Sequence, residues 1–121
     1  MIAGNWNHHF LAHVHLSRFV DAHFGVLAAR GILTPINTRL TPLEVAYILE
    51  HSESKLILAD HEYLHLLPNT KVTTIVCHDT AMLGDPYEDF LSAGRKFSSE
   101  RGWAGLDVEL NEDAPAVLCY T

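Results

Sequence analysis

His61-Glu62-Tyr63-Leu64-His65 satisfies the H-E-x-x-H spacing, in which one turn of α-helix puts two imidazoles on a common face beside a general-base glutamate. A small zinc hydrolase built this way would use His61 and His65 as ligands, Glu62 as base and Glu88 as a distant third ligand. The setting argues against that chemistry. Asp60 closes an apolar, strand-like run and Pro68 follows closely, so His61 and Glu62 fall in a first helical turn, where the helix dipole already accounts for a glutamate. With nine histidines in 121 residues, such spacings also arise readily by chance. A short surface helix is the expected role.

The other histidine cluster, His8, His9, His13 and His15, lies in Met1 to Leu16. His9 and His13 would share a face in a helix, and His13 and His15 in a strand. Without a neighbouring Cys or carboxylate the ligand set is incomplete. Asp21 and His23 fall inside a helical pattern, where solvated or capping roles are expected rather than acid-base catalysis. There is no G-x-S-x-G, complete P-loop or dinucleotide fingerprint; Gly102 and Gly105 sit in a polar stretch rather than after a strand. These residues assign no catalytic group and no metal ligand.

The elements around them belong to one domain with a core: 121 residues, 48% apolar and 19% charged, at a mean hydropathy of +0.07. The net charge of −7, without a basic stripe, excludes nucleic acid as the expected partner. Phe19 to Ile36 is interrupted by Asp21, His23 and Arg30, which excludes a membrane span. No Lys or Arg precedes Arg18, so the basic start of a secretory signal is not seen. Cys77 and Cys119 lie in apolar, strand-like runs and are expected as buried free thiols, which favours a reducing compartment.

Phe19, Val20, Phe24, Leu27 and Ala28 recur at spacings of three and four and predict a helix from Ser17 as cap to Gly31 as stop. Ile32 to Ile36 reads as a strand, with Pro35 near its end. Thr41-Pro42-Leu43-Glu44 combines an N-cap, a first-turn proline and a capping-box glutamate, so a helix begins there and stops near Ser52. Lys55 to Ala59 is apolar at each position after the lysine, the pattern of a strand buried on both faces of a parallel sheet. A short helix from His61 to Leu67 and a strand from Val72 to Cys77 follow. Asp85-Pro86-Tyr87-Glu88 repeats the capping arrangement and predicts a helix through Ala93, then a polar loop from Gly94 to Glu112 and a last strand, Ala116 to Tyr120. Strand, helix and strand in alternation specify an α/β fold with a largely parallel sheet built from βαβ units.

Ala22 to Asp60 resembles the early part of the adenylate-forming, AMP-dependent acyl-CoA synthetase and ligase superfamily. The residues that carry the likeness are Pro35-Ile36-Asn37, Thr38-Arg39-Leu40, the capped helix from Thr41 to Ser52 and the strand from Lys55 to Asp60. The stretches YEDFLSAG and DAPAVLCYT are similar more loosely. The likeness covers roughly Arg18 to Thr121, which divides the chain into an unmatched His-rich leader, 1–16, and a partial amino-terminal ligase domain, 17–121.

The resemblance implies that Tyr120 and Thr121 are the first two positions of a phosphate-binding loop whose later positions are not in this sequence. It also implies that a full family protein joins a carboxylic or fatty acid to AMP from ATP, with magnesium, and passes the acyl group to coenzyme A. The 121 residues are expected to be inactive alone, to need no cofactor of their own and to self-associate through the exposed last strand. An intracellular setting, cytosol or peroxisome, is the implied location. Two departures accompany it. The strand that the family has before the first helix is not visible in Met1 to Leu16, and Arg30 stands where the family commonly has Gly, so a turn needing positive φ is either strained or moved to Gly31. Without the resemblance, a zinc hydrolase or a non-enzymatic α/β interaction domain would be the remaining readings.

Overall fold

The computed structural model describes residues 9–13, 16–101 and 113–121, with side chains from Arg18 to Glu100 and from Asp113 to Thr121. The order along the chain is β1 (His9–His13), α1 (Leu16–Ala28), β2 (Ile32–Pro35), α2 (Pro42–His51), β3 (Leu56–Asp60), a 3₁₀ helix (His61–Leu66), β4 (Thr73–Cys77) and α3 (Pro86–Arg101). The four strands form one sheet in the order β2-β1-β3-β4, and each neighbouring pair is parallel. The expected α/β class with a parallel sheet is therefore the observed one.

Both faces of the sheet are covered, and β3 shows why its sequence lacks polar alternation. Ile57 and Ala59 pack with Val45, Ile48 and Leu49 of α2 in one apolar cluster. Leu58, with Leu56 beside it, packs with Ala22 and Val26 of α1 in the other. Successive side chains of a strand point to opposite faces, so a central strand with helices on both sides must be apolar throughout. Ile57 is fully buried and Leu58 nearly so.

The leader contradicts one expectation. His9 to His13 is a strand, and it occupies the centre of the sheet, paired to β2 through His9↔Ile32 and to β3 through Phe10↔Leu56. The signal was hidden because the apolar part is only Phe10-Leu11-Ala12, shorter than a periodicity can reveal, and its two bracketing histidines draw attention to metal chemistry. Its insertion also separates β2 from β3, so the strand, capped helix and strand read as one βαβ unit do not pair with each other but flank β1. The side chains of His8, His9, His13 and His15 lie outside the described ones.

Helix boundaries divide into those set by strong local chemistry and those not. Thr41 caps α2 as expected: its hydroxyl accepts from the Glu44 N–H while the Glu44 carboxylate accepts from the Thr41 N–H at 2.7 Å. The Thr41 N–H and then the Thr41 hydroxyl, which also donates to the carboxylate at 2.7 Å, hold the Glu44 carboxyl below the usual carboxylate range. At α1 the reading shifts. Ser17 is inside the helix rather than capping it, and the turn is neither moved nor made by Gly31, because Arg30 itself adopts φ 57°. The Gly31 N–H donates to Val26 O and the Arg30 N–H to Leu27 O, a Schellman closure with arginine in the left-handed position.

α3 continues to Arg101, past the expected stop at Ala93. Gly94 lowers helix stability by about 1 kcal/mol relative to Ala but does not break the backbone pattern, and Lys96 and Glu100 face each other one turn apart, 3.9 Å between charges. The rest of the expected loop, 102–112, lies outside the described residues. The last strand is also reduced. Among the described residues, 113–121 contribute one parallel bridge, Val117 to Leu33 of β2, because Pro115 has no N–H to donate and only the residues around Val117 come into register.

Candidate functional site

In a parallel sheet the carboxyl ends of the strands share one edge, and that edge is where open α/β folds bind ligands. Here it is formed by Pro35, Asp60 and Cys77 at the ends of β2, β3 and β4, extended beyond β2 by the carboxyl-terminal segment. The Leu33 N–H donates to Ala116 O at 3.0 Å and the Leu118 N–H to Leu33 O at 2.9 Å. Three residues past that bridge on each side, Ile36 and Tyr120 enter the same apolar cluster under α2.

Tyr120, the first residue proposed for a phosphate loop, is fixed by α2. Its hydroxyl is 2.7 Å from Nδ1 of His51, and the two rings meet edge to face with centroids 5.7 Å apart. His51 is stacked in turn on Tyr47, one turn earlier, at 5.5 Å. Burial raises the Tyr120 phenol above its usual range, and the Tyr47 phenol adds to the effect. Beside this trio lies a cleft of ≈ 370 Å³, with Leu40, Leu43, Tyr47 and Ile48 on one side and Tyr120 and Thr121 on the other. Thr121 is exposed. A loop that holds phosphate needs several converging N–H groups. Tyr120 and Thr121 can contribute two such groups, and the Tyr120 hydroxyl is already engaged by His51.

The H-E-x-x-H segment forms a 3₁₀ helix rather than an α-helix. With three residues per turn, positions i and i+3 share a face and i and i+4 do not, so the zinc spacing is lost. Asp60 at the end of β3 accepts from the Glu62 N–H at 3.0 Å, and the Leu67 N–H donates to Leu64 O. Between that cap and Pro68 there is room for two tight turns. His61 stacks on His78 at 5.2 Å, and Nδ1 of His65 lies 2.9 Å from Glu62 O. Among the described residues no group of three His, Cys, Asp or Glu is placed to hold a metal ion.

Glu88, the imagined third ligand, serves a different network. Its carboxylate accepts from Nη2 of Arg18 at 2.9 Å, a guanidinium that also lies 3.4 Å from Asp79, 3.7 Å from Asp21 and 4.7 Å above the Tyr87 ring. Tyr87 donates its hydroxyl to Asp21, and burial, with the Asp21 charge second, pushes its phenol up to about 12. Asp21 therefore acts within a charged network, while Nδ1 of His23 is held by Phe19 O at 2.7 Å. Asp85 caps α3 through the Tyr87 N–H and also accepts from the His78 and Thr80 N–H groups. Its burial would raise the carboxyl, but these hydrogen bonds outweigh that and hold it low. The network ties α1 to α3 beside the end of β4, and two of its members, Asp21 and Tyr87, line an apolar groove between these helices.

Asp85 and Glu88 are marked in the sequence by their capping arrangement, whereas nothing local marks Arg18, whose partner Glu88 lies 70 positions away, or His51, whose partner lies 69 away. No local pattern reports such pairs. The thiols also separate: Cys77 is buried, as expected, and burial pushes it up to about 12, whereas Cys119 is exposed, because the segment holding it does not become an inner strand.

The parallel sheet and this carboxyl edge place the chain among α/β ligand-binding folds, and comparison with known proteins narrows the class. A family model for AMP-binding enzymes matches residues 14–121, and the chain belongs to that family. It is 31% identical over 111 residues to 3-methylmercaptopropionyl-CoA ligase of Ruegeria pomeroyi, a match covering 86% of this chain and 20% of that protein. It is 49% identical over 53 residues to 4-hydroxybutyrate–CoA ligase 2 of Metallosphaera sedula, covering 44% of this chain and 10% of the relative. Its fold matches a fatty acyl CoA synthetase of Mycobacterium tuberculosis with a TM-score of 0.64 at 21% identity, over 94% of this chain and 22% of that one. The chain thus spans a fifth or less of the length of these two CoA ligases.

Proposed function

We propose that the chain is the amino-terminal scaffold of an acyl-CoA synthetase-like ligase. In the whole protein a carboxylic or fatty acid would be activated by ATP, with magnesium, to an acyl-adenylate and then transferred to coenzyme A. The observation that carries this is the coincidence of three things: the family match over 14–121, the parallel sheet, and the placement of Tyr120 and Thr121 at its carboxyl edge beside α2. In this reading the scaffold contributes the root of the nucleotide loop and the apolar wall next to it.

The relatives act, by their names, on acids as different as 4-hydroxybutyrate and long-chain fatty acids, so the substrate class proposed is a carboxylic acid without further restriction. The zinc-hydrolase reading is not favoured, since the 3₁₀ geometry removes its spacing. No described helix is long and apolar enough to cross a membrane. An intracellular location fits the family reading and the free thiols. Self-association through the outer edge of 116–120, where Val117 is exposed, belongs to the same proposal; sedimentation showing a monomer at all concentrations would remove it.

The test is equilibrium ATP binding and carboxylate-dependent pyrophosphate exchange by the purified 121-residue chain, with a panel of short and long acids. Neither activity is expected above background. Exchange by this chain alone would show that the nucleotide site is complete within it and would overturn the scaffold reading.

A further inference from the structure

Backbone pairing ties the carboxyl-terminal segment to the sheet at the Leu33 bridge, through two hydrogen bonds that reach no farther than Leu118. Beyond that point the chain's direction depends on side chains. Tyr120 supplies them twice over, with a ring seated against the apolar cluster under α2 and a hydroxyl 2.7 Å from Nδ1 of His51. His51 is the last residue of α2 and is itself held by stacking on Tyr47, at 5.5 Å and 22° between ring planes. Three aromatic rings from two distant parts of the chain therefore meet where the segment leaves the sheet.

We propose that Tyr47 and His51 form a clamp that fixes Tyr120 and, through it, the direction in which the backbone departs at Thr121. His51 is a positioning residue. Its Nδ1 sets where the Tyr120 hydroxyl sits, while the rigid helix behind it transmits the placement of the sheet to the segment end. Preorganisation of this kind matters for a loop that gathers N–H groups around phosphate, because a misdirected root misplaces each later donor. That meaning rests on the ligase reading above, whereas the clamp itself is tested without nucleotide.

The experiment is amide hydrogen exchange on the intact chain and on three variants, His51→Ala, His51→Asn and Tyr120→Phe. The Leu118 N–H, bonded to Leu33 O, reports docking of the segment, and the β3 amides report the core. Loss of one net hydrogen bond predicts Leu118 exchange faster by about fivefold in His51→Ala and in Tyr120→Phe, with the β3 amides unchanged. Asparagine carries a polar δ atom close to where Nδ1 stands in histidine, so His51→Asn should return to within about twofold of the parent.

Unchanged Leu118 exchange in His51→Ala, or asparagine no better than alanine, overturns the clamp. If alanine loosens α2 as a whole, Tyr120→Phe keeps the ring and decides the matter, together with the ¹⁵N shift of His51 Nδ1. That shift should move when the tyrosine hydroxyl is removed; a shift that stays in place also overturns the proposal. Failure of the ligase reading would appear separately, as pyrophosphate exchange by the chain alone.

Discussion

Arg30 illustrates how a single residue records a conflict between local chemistry and fold. The end of α1 requires a left-handed residue so that the Arg30 and Gly31 N–H groups can close on Leu27 and Val26. An L side chain in that conformation costs roughly 1 kcal/mol or more, and glycine does not bear the penalty. The adjacent Gly31 does not take over: it is buried immediately before β2 begins at Ile32, and it is Arg30 that adopts φ 57°. Arg30→Gly is therefore expected to raise unfolding stability by about 1 kcal/mol, read as a higher urea midpoint with an unchanged slope. A lower midpoint would show that the arginine side chain contributes more than its backbone conformation costs. The position was visible in the sequence; which of the two neighbours would adopt positive φ was not, because that is decided by where β2 must begin.

Elements were legible where one signal sufficed. The Thr41 to Glu44 cap and the unbroken apolar run of β3 predicted their structures to within a residue. The elements misread are those whose identity depends on distant partners. β1 is a strand because β2 and β3 stand on either side of it, and the segment 116–120 is barely one because a single bridge holds it. The 3₁₀ helix follows from the short span between Asp60 and Pro68, and it removed a metal site that residue types alone had suggested. The loop between β4 and α3 depends most on one side chain. Asp79, Ala81 and Gly84 all have positive φ there, and Asp85 gathers the His78, Thr80 and Tyr87 N–H groups that hold it.

Asp85→Ala should accordingly destabilise the chain by about 2 kcal/mol at neutral pH, the upper end for a lost N-cap, since it leaves the buried Tyr87 N–H and the part-buried His78 and Thr80 N–H groups without this acceptor. The pH dependence has a definite sign. The folded-state carboxyl is held below its usual range, so its contribution is fully present above the unfolded-state value near 4 and fades as pH falls through the folded one. The gap between wild type and Asp85→Ala in urea unfolding should narrow below about pH 4; a gap that widens with acid would contradict the hydrogen-bonded, charged assignment.

At the scale of the molecule, the described residues carry the parallel-sheet fold of the AMP-binding family. The sheet and its two helical layers are in place, and among the described residues no group of three His, Cys, Asp or Glu is placed to hold a metal ion. Much of the apolar surface also faces outward. Phe24 on α1 and Phe97 on α3 are more than half exposed, and an apolar groove of ≈ 180 Å³ opens between these helices above Leu56 and Leu58.

The scaffold reading is tested most directly by exchanging segments. Residues 18–121 would replace the matching stretch of the Ruegeria pomeroyi 3-methylmercaptopropionyl-CoA ligase, and pyrophosphate exchange would be measured with that enzyme's own acid after circular dichroism shows a cooperative fold. The expected result is a folded chimera that retains exchange, reduced by no more than about a hundredfold, roughly 3 kcal/mol of barrier. A folded chimera with no detectable exchange would contradict the claim that this chain carries a working ligase scaffold.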